Sequence, residues 1–260
     1  MVLNPLPAPS RAQRNRHLSC AWQAVENRQT EAARQWWLIA QIDHAVLAGD
    51  LAARLEFPAI PILSEEVIGA ISAHDAGWTQ LDVLDDYGSD SVAKLRPPRS
   101  FLEILPQQFL IAWTSSIQAA ERIGPVGGII VSEHFRRLGQ ARLATQRDTP
   151  EDVLRLEQFV WGESGRQTRL RTQVHSSRSE LEHLTDILQF CDLVSLYLCC
   201  GAADPAEFPQ RFQGTRIRVR CEGDMFLFTP PVFGRGVALG VSARRYPGEK
   251  RSASLPFLIA

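Results

Sequence analysis

No run of apolar residues in this chain reaches the length of a bilayer-spanning helix, which argues against a helical membrane span. The first stretch, Met1 to Thr30, also lacks the continuous apolar segment of a secretory leader. Neither sign of charge is in excess. With 28 Lys and Arg against 29 Asp and Glu, no strong field draws in nucleic acid or an anionic membrane. Cysteine is scarce and odd in number. Cys20, Cys191, Cys199, Cys200 and Cys221 form no C-x-x-C pair and no zinc-ribbon spacing. Three of them share one apolar run, so buried, reduced thiols in a cytoplasmic protein are expected. No internal repeat is present. With 45% hydrophobic residues in 260, the chain can build one large core, or a domain with a small appendage.

The pattern along the chain predicts mostly helix. Residues 1–34 read as a loosely ordered N-terminal segment, rich in Pro, Arg and Asn near its start. Gln35 to Gln41 is a short bulky run and reads as a strand. Asp43 is placed to cap a helix running to about Leu55, with His44, Leu47, Leu51 and Leu55 on one side. Ser64 caps a second helix with Glu65 and Glu66 in its first turn. Val67, Ile68 and Ile71 continue it, the apolar face carries on through His74, Asp75 and Trp78, and Gly77 is a natural terminator.

Leu81 to Ser100 has the composition of a long loop. Further helices are expected over Phe109 to Arg122 and Ile129 to Leu138, from Pro150 onward, and over Leu181 to Cys200. Beyond Gly201 the pattern changes to strict alternation at Arg216 to Cys221, a turn, and a second run from Met225 to Thr229, which reads as a hairpin. Val237 to Ala243 is a third strand. The outward arginines of the hairpin read as a solvated face, because no aromatic platform accompanies them. The expected architecture is a mainly α bundle over 35–203, with a small antiparallel β appendage over 204–260 that the N-terminal strand joins.

Five polar side chains fall on the inward faces of these helices: His44, His74, Asp75, His134 and Asp192. Acids in a core helix are seldom buried without a partner. Imidazole nitrogens and carboxylate oxygens together suit a divalent ion such as Zn, Mn or Fe. The same groups can instead satisfy one another in a buried hydrogen-bonded network.

The order His, His-Asp, His, then a late Asp, spread over Gln41 to Tyr197, resembles the ligand order of the HD-domain superfamily of metal-dependent phosphohydrolases, which also includes a few di-iron oxygenases. The resemblance implies an HD-like helical bundle that binds one or two ions. His44, His74, Asp75 and Asp192 would hold one, while Asp75 bridges to a second that His134 helps bind. Asp75 and His134 would then do the catalytic work on a water that attacks a small phosphorylated substrate. Asp43 and Gln189 are candidates to accept the other N–H of the metal-bound imidazoles. Lys94, Arg96, Arg99, Arg136 and Arg137 are candidates to neutralise the phosphate. One departure is Trp78, near the place where HD hydrolases often carry a lysine. The strings QIDHAVLAGDLA, AHDAGW, SFLEILP, VSEHF and CDLVSLYLC also resemble a bacterial family known only as a domain of unknown function.

Other motifs point less far. Glu180-x-x-His183 is half of a ferritin-like signature without its second copy. Ser164 lacks the surroundings of a nucleophile elbow. The expected function is therefore a metal-dependent hydrolase of a phosphate ester or anhydride. A regulatory protein that binds a metal or a ligand without turnover, or a di-iron oxygenase, stands as the alternative. No nucleic-acid or membrane partner is expected, and the oligomeric state is open.

Overall fold

The computed structural model describes residues 1–6, 18–82, 98–248 and 252–260. The chain opens with strand β1 (Val2–Leu6), the two-residue β2 (Ser19–Cys20), helix α1 (Ala21–Gln29) and β3 (Gln35–Ile39). Helices α2 (Gln41–Ala52) and α3 (Glu65–Ser72) follow, then a 3-10 turn over Ala76–Gln80. Four long helices come next: α4 (Pro106–Ile123), α5 (Pro125–Ala144), α6 (Pro150–Arg171) and α7 (Arg178–Cys199). The last stretch is β4 (Ala206–Phe212), β5 (Thr215–Glu222), β6 (Met225–Thr229), β7 (Val237–Tyr246) and β8 (Ser252–Ile259).

The expected mainly α, HD-like bundle with a small antiparallel appendage is not what forms. About 52% of the described residues are helical and 23% lie in strands, and the strands make one curled, half-barrel sheet. All eight described strands join it, in the order β1-β3-β7-β8-β6-β5-β4-β2. The sheet is mixed, because β2 runs parallel to β4 and β6 parallel to β8. The N-terminal residues expected to be loose supply the edge strand β1, paired antiparallel with β3, and the helix α1. Pro5 sits in that edge strand, where a missing amide proton costs least. Gln29 secures β1 from α1, accepting from the Leu3 amide at 3.0 Å and donating to the Leu3 carbonyl at 2.7 Å.

Helix α7 joins the sheet to the helices. Phe190 and Tyr197 lie seven residues apart on one face. Phe190 meets Phe208, Phe212 and Phe233, and Tyr197 meets Phe208 and Phe226. Each such aromatic pair adds roughly 0.5–1.5 kcal/mol beyond the area it buries. With α7 fixed on the sheet, its opposite face carries Asp192 and Ser195 toward α2 and α5, both of which pack on it. Cys191, Cys199 and Cys200 are buried free thiols, as expected, while Cys20 is exposed and Cys221 is intermediate. Burial, with the neighbouring Asp192 charge, pushes the Cys191 thiol far above its usual range, beyond reach as a thiolate nucleophile.

Two close approaches set the helices against each other. At Gly49 a side chain would stand 1.8 Å from Ser72 Oγ, so α2 and α3 cross in near contact there. The amides of Val126 and Gly127, at the start of α5, donate to Glu66 Oε1 at 2.9 and 3.2 Å. A carboxylate of α3 thus satisfies the open donors of α5, where the helix dipole favours negative charge. The hairpin arginines pair with acids on the solvent side, Arg216 and Arg218 with Glu207, and Arg220 with Glu222.

Candidate metal centre

His44 lies in the first turn of α2, on the buried side with Ala45, Leu47 and Ala48. The α2 N-cap is Ala40, and Asp43 stands within the first turn instead of capping it. His74 and Asp75 do not extend α3, which stops at Ser72. They occupy the turn that leads into the 3-10 segment, whose three-residue repeat keeps much the same face inward. His134 comes from the middle of α5 and Asp192 from the middle of α7. The side chains of His44, His74 and His134 are 1–2% exposed, Asp75 9% and Asp192 14%, so the carboxylates are the side open to solvent.

These five meet. His44 Nε2 lies 2.9 Å from Asp75 Oδ2. His74 Nε2 lies 3.3 Å from Asp192 Oδ1 and 3.8 Å from Asp75 Oδ2. His134 Nε2 lies 3.9 Å from Asp192 Oδ2. Donors each about 2.1 Å from a common ion stand roughly 3 to 4 Å apart, so the spacings fit a metal. Two overlapping sets of three emerge, His44 with His74 and Asp75, and His74 with His134 and Asp192, their donor atoms all within 4.8 Å of one another. His74 belongs to both.

Hydrogen bonds decide how the imidazoles present themselves. Ser195 Oγ donates its single proton to the Asp192 carbonyl at 2.8 Å. It therefore accepts from His44, whose Nδ1 is 2.9 Å away. His74 Nδ1 donates to the Ile71 carbonyl at 2.7 Å. In both rings Nδ1 is the donor to the protein, and Nε2 is the nitrogen that faces the carboxylates. A metal-ligating histidine is held in this way. Without a cation, the His44 Nε2 lone pair would face a carboxylate oxygen at 2.9 Å, and the buried His74 Nε2 would have the Asp192 oxygen at 3.3 Å in its place.

The electrostatics agree. Burial works against charge on His74, but Asp75 and Asp192 overcome it and push its pKa up to about 9. Burial pushes His134 down to about 4, against the pull of Asp192. Burial opposes the Asp192 charge, yet contact with His74, helped by His134 and His44, holds that carboxyl down at about 2. The cluster thus forms a negative cage that keeps a proton when no stronger cation is present.

The supporting residues differ from expectation. The partners of the ring N–H groups are Ser195 and the Ile71 carbonyl, not Asp43 and Gln189. Asp43 is half-buried, and burial and then Asp82 raise its pKa, but no hydrogen bond joins it to the five. Gln189 Oε1 accepts from Arg137 at 2.9 Å. Arg136 turns away from the cluster and is held by both oxygens of Glu133, at 2.6 and 2.7 Å. Arg137 is the arginine whose charge His134 feels, but Glu133 and Asp186 already hold it. Arg99 is exposed and donates to the Glu103 carbonyl. Lys94 and Arg96 lie outside the described residues. Glu180 closes a capping box with Ser177, and His183 Nε2 lies 3.1 Å from the Ala59 carbonyl, so that pair serves helix α7.

Ser195 falls on the same face as Asp192 in the helical pattern, three residues on, but its part in orienting His44 has no signature in the sequence. If it orients His44, Ser195→Ala weakens zinc binding by about 10- to 100-fold without unfolding the protein. A competition titration against a chromophoric chelator measures this. Unchanged affinity would show that His44 needs no such support.

No curated protein and no solved structure matches the chain. Nothing in the comparisons ties it to HD-domain proteins, and that expected kinship rests on ligand order alone. One family model matches residues 28–246, a span that includes all five clustered side chains. The chain therefore belongs to the family described as protein of unknown function, DUF3891.

Proposed function

We propose that His44, His74, Asp75, His134 and Asp192 hold one or two divalent ions, and that the protein is a metal-dependent hydrolase of a phosphate ester or anhydride. The observation that carries this reading is the fixed direction of two imidazoles. Each has its Nδ1 held by the protein, while Nε2 faces carboxylate oxygen, that of Asp75 for His44 and those of Asp192 and Asp75 for His74. His74 Nε2 lies 3.3 Å from Asp192 Oδ1 without a well-formed hydrogen bond, a spacing that suits two donors sharing an ion. Three nitrogens and two carboxylates suit Zn, Mn or Fe.

Bound there, such an ion supplies Lewis acidity, lowering the pKa of water toward neutrality and polarising a phosphoryl oxygen. The chain's own part is to place and balance charge. Asp75 and Asp192 neutralise the ion and present the solvent-facing side. His134, kept neutral by burial, leaves a nitrogen free to bind the ion without first losing a proton. The substrate is a small phosphorylated molecule. Among the described residues, no helix is long and apolar enough to cross a membrane.

A second reading has its own observation. The five side chains are at most 14% exposed, and such enclosure also suits a regulatory protein that binds a metal without turnover. Elemental analysis of protein purified without chelator comes first, then hydrolysis of p-nitrophenyl phosphate and its bis-ester with Zn, Mn or Fe(II). At least about one ion per chain with metal-dependent turnover is expected. Metal without turnover favours the regulatory reading, and protein that neither carries nor takes up metal overturns both.

A further inference from the structure

Unpartnered polar atoms are rare inside a folded protein, and each calls for a physical cause. Among the described residues two lie beside the metal cluster yet belong to neither triad. Gln41 is 2% exposed and its Oε1 has no hydrogen-bond partner. Trp78 is 4% exposed and its indole Nε1–H has none either. The packing of α2 against the 3-10 segment brings them into the same region of the fold. Gly49 meets Ser72 where α2 and α3 cross, and His44 meets Asp75 further along. One more step in the same antiparallel sense places Gln41, three residues before His44, across from Trp78, three residues after Asp75. The Gln41 amide donates to Asp82 Oδ2 at 2.5 Å, so the chain just after the 3-10 segment lies against the start of α2.

Leaving two such groups unpaired costs about 1–3 kcal/mol each. The chemistry of what would satisfy them is specific. An indole N–H only donates, and a carboxamide oxygen only accepts. The partner must accept from Trp78 and donate to Gln41. An ionised phosphate offers no donor, and an ammonium offers no acceptor. A hydroxyl does both.

We infer that Gln41 and Trp78 form a recognition subsite for an uncharged hydroxyl of the substrate, about one helical turn, roughly 5 Å, from the metal cluster. The inference rests on the metal-centre reading above. It assigns the substrate class as a phosphate ester whose alcohol part carries a hydroxyl near the phosphate, as in a polyol or sugar phosphate. A phosphate bound to the ions and a hydroxyl bound between Gln41 and Trp78 fix the ester at two points, and this orients the phosphoryl group.

The test uses the full chain loaded with its metal and two probes of similar size, glycerol 3-phosphate and n-propyl phosphate, with affinities measured by calorimetry. A site built to hydrogen-bond a hydroxyl rejects the analogue that lacks it. Wild-type protein is expected to favour glycerol 3-phosphate by about 10- to 100-fold. In Trp78→Phe and Gln41→Met protein the ratio falls toward one. Metal content measured on each variant shows whether the cluster is intact, and the wild-type ratio stands without any variant. Equal affinities in the wild type overturn the inference, as does a preference that survives both substitutions. Variants as stable as wild type or more so, with no change in ratio, identify a trapped water as the missing partner and also overturn it. Metal-loaded protein that binds neither probe removes the subsite and leaves the metal centre standing, whereas protein that takes up no metal removes both.

Discussion

His74→Ala protein is expected to emerge from purification nearly free of metal and to be untouched by added zinc in a thermal melt. The reason lies in the sharing of this one ring. Both sets of three donors include His74, so its loss leaves two members in each. Losing a group that only orients a ligand costs about 10- to 100-fold in affinity, and losing a donor atom costs more. Metal binding that reaches 1,000 times its dissociation constant stabilises a folded protein by about 4 kcal/mol, and that increment vanishes with the ring.

His44→Ala is the informative companion. It spares the set formed by His74, His134 and Asp192. If two ions bind, His44→Ala retains about half of the wild-type metal; if one binds through all five groups, it loses most. Elemental analysis of the two variants beside the wild type therefore gives both the presence and the number of ions. A hydrogen-bonded network without metal predicts otherwise. His74→Ala would then lower stability by a few kcal/mol at most, and the variants would not differ in metal because none would be bound.

All five clustered side chains were legible from the sequence. Each stands on an apolar face of regular period, and an acid such as Asp192, among the buried Leu188, Leu196 and Cys199, announces itself by being out of place. His74 and Asp75 were aimed correctly although α3 ends before them, because a 3-10 turn departs little from helical facing over so few residues. The sheet was not legible to the same degree. Strand β1 is five residues with a proline, β4 contains Pro209 and changes register between Glu207 and Arg211, and β8 contains Pro256. Proline argues against a strand in any local reading. The pairings that complete the sheet join segments far apart in sequence, as where Cys20 meets Glu207 or Met225 meets Leu258. Local periodicity carries no information about such contacts. The supporting hydrogen bonds were hidden for a related reason, since a backbone carbonyl such as that of Ile71 has no signature in the sequence.

Gly77→Ala is expected to be the most damaging small substitution near the site. The glycine looked like a helix terminator, a role that would call for a left-handed backbone. It is not among the glycines with positive φ, so conformational freedom is not what it provides. Space is. A methyl group there would stand 2.0 Å from the Ala112 carbonyl oxygen and 2.8 Å from the Ser116 nitrogen, both on the backbone of α4. A helix backbone cannot rotate away as a side chain can, so α4 and the 3-10 segment must separate. The Gly77 amide, which donates to Ser116 Oγ at 2.9 Å, would lose its partner in the process. Overpacking of this kind costs about 1–3 kcal/mol or more. Because Asp75 lies two residues away, the shift also displaces a metal donor, so metal content falls together with stability. Gly162→Ala, in the middle of α6, is the control. A methyl group there meets nothing within 4 Å, and replacing a glycine inside a helix stabilises by about 0.5–1 kcal/mol. Urea denaturation of the two variants should therefore move in opposite directions, with metal lost only in Gly77→Ala. Wild-type stability and metal content in Gly77→Ala would show that α4 can yield, and that its contact with the turn does not hold Asp75 in place.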